Sequence, residues 1–162
     1  MRFPDLVRPT LGALAVVLLA ACGGDGVADR QAEVADRGAE VMPFDLDATT
    51  HTFDETEDGG VQTVTADDPA DAEQVELIRR HLREEREKFA AGNFDDPARI
   101  HGEDMPGVAE LAAGYDRIAV TYAEHPAGAV LTYTTDDPEL VEAVHAWFDR
   151  QVMDHGEHAE GG

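Results

Sequence analysis

The sequence predicts an α+β domain built from duplicated ββα units. They form a four-stranded antiparallel sheet with two main helices on one face and a short helical connector. Three observations carry this reading. Thr63-Val-Thr-Ala-Asp-Asp-Pro69 leads into Glu73–Leu82, and Thr132-Tyr-Thr-Thr-Asp-Asp-Pro138 leads into Leu140–Phe148, so one pattern of strand, Asp-Asp-Pro start and amphipathic helix occurs twice. A further strand signal and a turn precede each Thr-rich strand. The stretch between the two copies carries only short-helix and turn signals. Two hairpins close most economically as one sheet with both helices on it, rather than as two separate sheets.

The elements follow in order. Thr49–Thr56 is rich in β-branched and aromatic residues, as a strand should be. Glu57-Asp-Gly-Gly60 signals a tight turn, and Val61–Thr65 returns. Asp68 then reads as a helix N-cap with Pro69 at the first helical position and Asp71 two residues on, and the helix runs to about Ala91. Val75, Ile78, Leu82 and Phe89 fall on one stripe at about 100° per residue. Gly92 ends the helix. In the connector, residues 93–114, Asp95-Asp-Pro97 opens a short helix through Ile100. His101–Gly107 is a loop and Val108–Ala113 a second short helix. Connectors of this length inside a compact domain are more often functional than idle. Tyr115–Tyr122 alternates as a half-buried strand, Glu124–Gly128 turns, and Ala129–Thr135 pairs back. Asp137 and Pro138 start the last helix, whose stripe is Leu140, Val141, Val144, Trp147, Phe148, Gln151 and Val152. Residues 156–162 read as a tail.

Composition narrows the chemistry. With 12 basic and 35 acidic residues the formal net charge is −23. Such a charge excludes nucleic acid as a partner, because the phosphates repel it, and disfavours direct contact with an anionic membrane surface. The bland reading of the acidic surface is solubility. The chain contains no serine, so serine-hydrolase chemistry is excluded. A single cysteine, Cys22, permits no intramolecular disulfide.

The N-terminus reads as an address. A short basic head, Met1–Pro9, precedes the apolar run Leu11–Ala21, which is too short to cross a bilayer as a helix. Head, apolar run and small residues together form an export signal over residues 1–21. Leu19-Ala-Ala-Cys22 resembles the bacterial lipoprotein lipobox. The resemblance implies that Cys22 is acylated, that the membrane is a partner through those acyl chains, and that the protein is exported and held at the cell envelope. Gly23 after the cysteine fits outer-membrane sorting in a Gram-negative cell. Residues 22–46 are Gly-, Asp-, Glu- and Ala-rich and read as a flexible acidic tether, with at most a transient helix at Ala32–Val41. The folded domain is then residues 47–155.

Seven histidines are the most chemically suggestive residues. No two have a tight zinc-motif spacing. His81 and His145 lie on the flanks of their helices, near the rim of the helix–sheet layer. His101 and Met105 form an H-x3-M pair on the connector. His155 closes the last helix, and His51 shares a strand face with Phe53. Imidazole and thioether are soft donors suited to copper, Cu(I) above all, with zinc the other candidate. The metal-binding set is therefore His51, His81, His101, Met105, His145 and His155. The plainer alternative makes the flank histidines rim residues and Met105 packing. His125, beside a turn proline, reads as surface. The pairs Asp67/Asp68, Asp95/Asp96 and Asp136/Asp137 read as helix caps. His101 with Glu103 and Asp104 is an arrangement that hydrolysis with a bound water would use.

From residue 42 onward the chain resembles a group of small bacterial proteins of unassigned biochemistry. The resembling segments are Met42–Leu46, Thr50–Phe53, Gly59–Thr63, Ile100–Gly107 and Val144–Phe148. Some of these proteins carry the name aspartate carbamoyltransferase, but that enzyme holds carbamoyl phosphate through a Ser-Thr-Arg-Thr loop, and a chain without serine has no counterpart. The resemblance implies a shared domain and adds weight to His51, His81, His101, Met105, His145 and His155, without supplying an activity. The sequence thus leads to an exported, lipid-anchored domain that sequesters or delivers a transition metal. The alternatives are an acidic envelope scaffold that contacts another envelope protein, and a metal-assisted hydrolase.

Overall fold

A computed structural model describes residues 24–162; Cys22 and the export segment lie outside the described residues. Helix α1 (Gly24–Val41) comes first, followed by the hairpin β1 (Thr49–Thr56) and β2 (Gly59–Ala66) and the long helix α2 (Ala72–Ala90). The connector holds α3 (Asp95–His101) and α4 (Val108–Ala113). A second hairpin, β3 (Ala119–His125) and β4 (Gly128–Thr134), leads into α5 (Pro138–His155) and a short last strand, β5 (Ala159–Gly161).

The protein is α+β, but its sheet is larger than the sequence predicts. It has five strands in the order β3-β4-β2-β1-β5. The two hairpins join antiparallel through β2 and β4, with Gln62 opposite Leu131. The fifth strand runs parallel to β1, His51 standing opposite Ala159, so the sheet is mixed rather than purely antiparallel. The residues read as a tail make this strand because a short 3-10 turn at Gly156–His158 redirects the chain, with Gly156 at φ +57°. Gly162 then exchanges backbone hydrogen bonds with Phe53 and Glu55.

The two ββα units are less alike than their sequences. Asp137 caps α5 as predicted, accepting from the Glu139 N–H, with Pro138 just inside. The first copy starts three residues later than its Asp-Asp-Pro motif. Asp71 is the cap of α2, accepting from Glu73 and Gln74, while Asp68 accepts from the Ala70 N–H and closes the preceding turn. In the third pair, Asp95 and Asp96 lie inside the first turn of α3 rather than capping it. Tyr115–Arg117 form a 3-10 turn, so the strand predicted from Tyr115 begins at Ala119.

Alternation in the strands explains the packing. His51, Phe53, Val64, Leu131, Tyr133 and Val120 point to one face, where α2 and α5 cover them. The α2 stripe of Val75, Ile78, Leu82 and Phe89 is buried, and so are Leu140, Val144, Trp147, Phe148 and Gln151 of the α5 stripe, while Val141 and Val152 are half-buried at its margins. Phe89, Tyr133, Trp147 and Phe148 meet mostly edge to face at ring separations of 5.4–6.2 Å. The opposite face is threonine-rich, and no helix among the described residues covers it. Thr50 pairs with Thr65, Thr52 with Thr63 and Thr121 with Thr132 across adjacent strands.

The segment read as a flexible tether is α1, which packs against α3 and α5. Its composition is as polar as it looks, yet three kinds of contact fix it. Val34 is fully buried, Gly38 lets Leu46 approach, and Arg30 and Gln31 hydrogen-bond to the connector and to α5. No described helix is long and apolar enough to cross a membrane.

Truncating Phe148 to Ala removes a ring packed on Phe53, Tyr133 and Trp147 and is expected to cost about 3–5 kcal/mol in urea unfolding. Thr63→Ala, on the helix-free face, is expected to change the same measurement by less than about 0.5 kcal/mol.

Candidate histidine pocket

Between α2, α3, α5 and the inner face of the sheet lies a cavity of about 50 Å³. Four histidines from four elements line it: His51 of β1, His81 of α2, His101 at the end of α3 and His155 at the end of α5. Phe44, Phe53, Phe89 and Trp147 supply its apolar wall, and Glu85, Asp96, Gln62 and Gln151 its other polar groups. The volume suits a few water molecules or one small ligand with its immediate partners.

The fold brings together part of the predicted set. His51 and His155 stack with ring centroids 5.1 Å apart and planes at 8°. His101 stands edge-on to His155, also at 5.1 Å. His81 packs on the far side of Phe44, ring to ring at 5.6 Å. His145 is elsewhere. Its Nε2–H is shared between the carbonyls of Thr56 and Gly59, and its Nδ1 lies 3.5 Å from Glu55, so it pins the β1–β2 turn to α5. Met105 is buried in the main core and does not line the cavity. The correction has a simple cause. His145 sits on the flank of α5 that faces the hairpin turn, and the connector folds inward at Met105 rather than offering it as a loop ligand.

Partners assign the imidazole protons. His101 Nδ1 lies 2.8 Å from the Asp154 carboxylate, which accepts only, so Nδ1 carries the hydrogen and Nε2 the lone pair. His155 Nε2 donates to the Gln151 amide oxygen at 3.1 Å, which leaves its lone pair on Nδ1. His51 Nδ1 is buried with no hydrogen-bond partner among the described residues, and so is Trp147 Nε1. Both residues line the cavity, and Tyr122 Oη and a terminal nitrogen of Arg37 likewise lack a hydrogen-bond partner among the described residues.

Electrostatics hold the imidazoles neutral. Burial pushes His51 down to about 4, helped by the neighbouring histidines His81, His158 and His101. His81 is also held at about 4, by burial and then by the charge of Lys88. Burial lowers His155 well below the usual range, and it lowers His101 despite the opposing pull of Asp154. Neutral imidazole is the form that donates a lone pair to a metal.

A charged group borders the cavity on the α2 side. Glu85 stands on the buried stripe of its helix and is pushed up to about 7 by burial, in spite of its 2.7 Å bond to Lys88. Lys88 also reaches Asp96 of α3. Asp96 is held below the carboxylate range: burial works the other way, but the bond from Lys88 outweighs it. Glu85 and Asp154 escaped the sequence reading although a signal existed. Each lies at a core position of its helix, Glu85 between Leu82 and Phe89, and Asp154 one turn beyond Gln151. The hydrolytic set of His101, Glu103 and Asp104 is not assembled: Glu103 and Asp104 are exposed, and the His101 ring turns inward to Asp154.

The chain matches no family model, no curated protein and no solved structure. The pocket's chemistry therefore rests on its own geometry. Among the described residues no three His, Cys, Asp or Glu side chains already stand at metal-binding spacing. The stack of His51 on His155 gives the reason: lone pairs lie in the ring plane, and two parallel rings send them side by side rather than toward one point.

Acid should weaken this fold. His51 and His81 are protonated near 6.5 in the unfolded chain and near 4 in the folded one, so the unfolded state binds more protons between those values. Stability is then fully present above about pH 6.5 and falls as pH drops toward 4, by roughly 3 kcal/mol per histidine. Glu85, raised from 4.5 to about 7, works oppositely and costs stability as pH rises through that window. The histidines outnumber it, so the urea midpoint is expected to drop between pH 6.5 and 4.5. Glu85→Gln should steepen that drop, and His51→Phe should shrink it.

Proposed function

We propose that this protein is an exported domain, anchored to the cell envelope through acylated Cys22, whose histidine pocket binds a transition metal ion. Copper is favoured and zinc is second, and the role is sequestration or delivery rather than catalysis. One observation carries the reading: four imidazoles from four separate elements line one buried cavity, all kept neutral at physiological pH. Buried histidines normally satisfy both nitrogens. Here His51 Nδ1 has no partner among the described residues, and the lone-pair nitrogens of His101 and His155 belong to rings packed against each other.

The ligands in this reading are His51, His101 and His155, while His81 lines the α2 wall beyond Phe44. Binding requires one ring of the His51–His155 stack to rotate about its side-chain bonds so that three lone pairs converge. His155 is the ring to move, because only a neutral amide bond to Gln151 fixes it, whereas His101 is tied to a carboxylate. The aromatic wall of Phe44, Phe53 and Trp147 excludes water, which favours a soft monovalent ion over a strongly hydrated one. Met105 and His145 take no part.

The full chain purified in detergent, titrated with Cu(I), Cu(II) and Zn(II) against competing chelators, is expected to bind one ion per chain, Cu(I) most tightly. His101→Gln and His155→Gln should each weaken binding at least about ten-fold, by loss of a ligand, while His145→Gln and Met105→Leu leave it unchanged. Failure to compete with the chelators for any of the three ions would remove the reading. Fatty-acid labelling of cells should be incorporated by the wild-type chain and lost in Cys22→Ala.

A further inference from the structure

Asp154 lies on the core stripe of α5 and is 2 % exposed. Three groups from three elements converge on its carboxylate. Arg30 of α1 approaches with Nε at 3.1 Å from one oxygen and a terminal nitrogen at 2.8 Å from the other. Arg150, one turn earlier on α5, forms an ion pair with it, Nε standing 3.0 Å from a carboxylate oxygen. His101 Nδ1 completes the set at 2.8 Å. The same Arg30 terminal nitrogen also donates to the backbone carbonyl of His101, so one guanidinium holds both the imidazole's residue and its acceptor.

We propose that Asp154 is the positioning residue of the histidine pocket, fixing His101 with its proton on Nδ1 and its Nε2 lone pair free, and that Arg30 on α1 keeps Asp154 in that task. The inference rests on the pocket reading above, since a fixed tautomer matters only where Nε2 is used. The physical reason is twofold. A carboxylate on one imidazole nitrogen raises the basicity of the other and stops the ring from flipping. A buried carboxylate with two guanidiniums has its remaining lone pairs occupied, so it cannot turn away from the ring. Arg30 is the one member of the knot supplied by α1, and Gln31 beside it adds a bond to the Met153 carbonyl. Seating of α1 therefore decides whether His101 is set for binding.

The test uses the ¹⁵N-labelled full chain in detergent and has two readouts. Long-range ¹H–¹⁵N imidazole spectra at neutral pH report the tautomer without any metal. Wild-type His101 is expected as a single Nδ1–H form. Asp154→Ala should convert it to a mixture rich in Nε2–H. Asp154→Asn should preserve Nδ1–H, because the amide oxygen still accepts. Arg30→Gln should leave a minor Nε2–H population. Cu(I) affinity should fall about 10- to 100-fold in Asp154→Ala and by less in Arg30→Gln. A wild-type His101 found as Nε2–H, or an Asp154→Ala spectrum unchanged from wild type, would overturn the proposal. Should Asp154→Ala fail to fold, the wild-type and Arg30→Gln spectra decide, and an unaltered Arg30→Gln tautomer and affinity would overturn the part assigned to α1. A tautomer that shifts as expected in a protein that binds none of the metals would instead count against the metal reading and leave the positioning intact.

Discussion

The buried carboxylate of Asp154 is the interaction on which the histidine end of the molecule depends. It is almost wholly removed from water, a position that costs several kcal/mol unless it is fully paired. Burial would raise its pKa, yet hydrogen bonds from Arg30, His101 and Arg150 hold it at about 2. The partners come from three helices, so satisfying one acid fixes α1, α3 and α5 relative to one another. Removing any one partner leaves a charge in the interior. That penalty, more than the worth of any single bond, is what makes the arrangement specific.

Around that knot the rest of the architecture is apolar and conventional. The sheet's inner face and the stripes of α2 and α5 form one aromatic-rich core, and Gly107 shows how tightly it closes. With φ at +77°, a Cβ there would sit 2.0 Å from the Ala143 carbonyl, so α4 meets the backbone of α5 directly. The cavity is what remains where this packing gives way to imidazoles. Their neutrality follows from the same burial that stabilises the core. A polar site built this way keeps its imidazoles neutral and loses stability in acid.

Much of the fold was legible in the sequence, for reasons that can be named. The stripe of Val75, Ile78, Leu82 and Phe89 has helical period, and the Thr-rich hairpins alternate, so the helices, both hairpins and the helix-covered face followed from periodicity. The misses came where tertiary contacts outvote local composition. Residues 24–41 look too polar to order, but one valine, one glycine and two long polar side chains suffice to dock α1. The last strand is three residues long and exists because β1 offers an open edge. For the site, the sequence offered His51 from a strand face, His81 from a helix flank, His101 from the connector and His155 from a helix end. Met105 entered through its spacing from His101 and His145 through its own helix flank, because a sequence does not show which way a connector folds or which flank of a helix faces a cavity.

Few basic residues remain to balance the acidic surface. Arg30 and Arg150 are turned to Asp154, and Lys88 sits between Glu85 and Asp96. Arg79 donates to the carbonyls of His125 and Gly128 at the turn between β3 and β4, and Arg86 to that of Val120 on the edge strand. The outward-facing carboxylates thus have few neighbouring cations, and the net charge of −23 sets the field around the molecule. Such a field gathers counterions: positively charged solutes are enriched near the molecule at low ionic strength, and the enrichment fades once the screening length shrinks to a few ångströms.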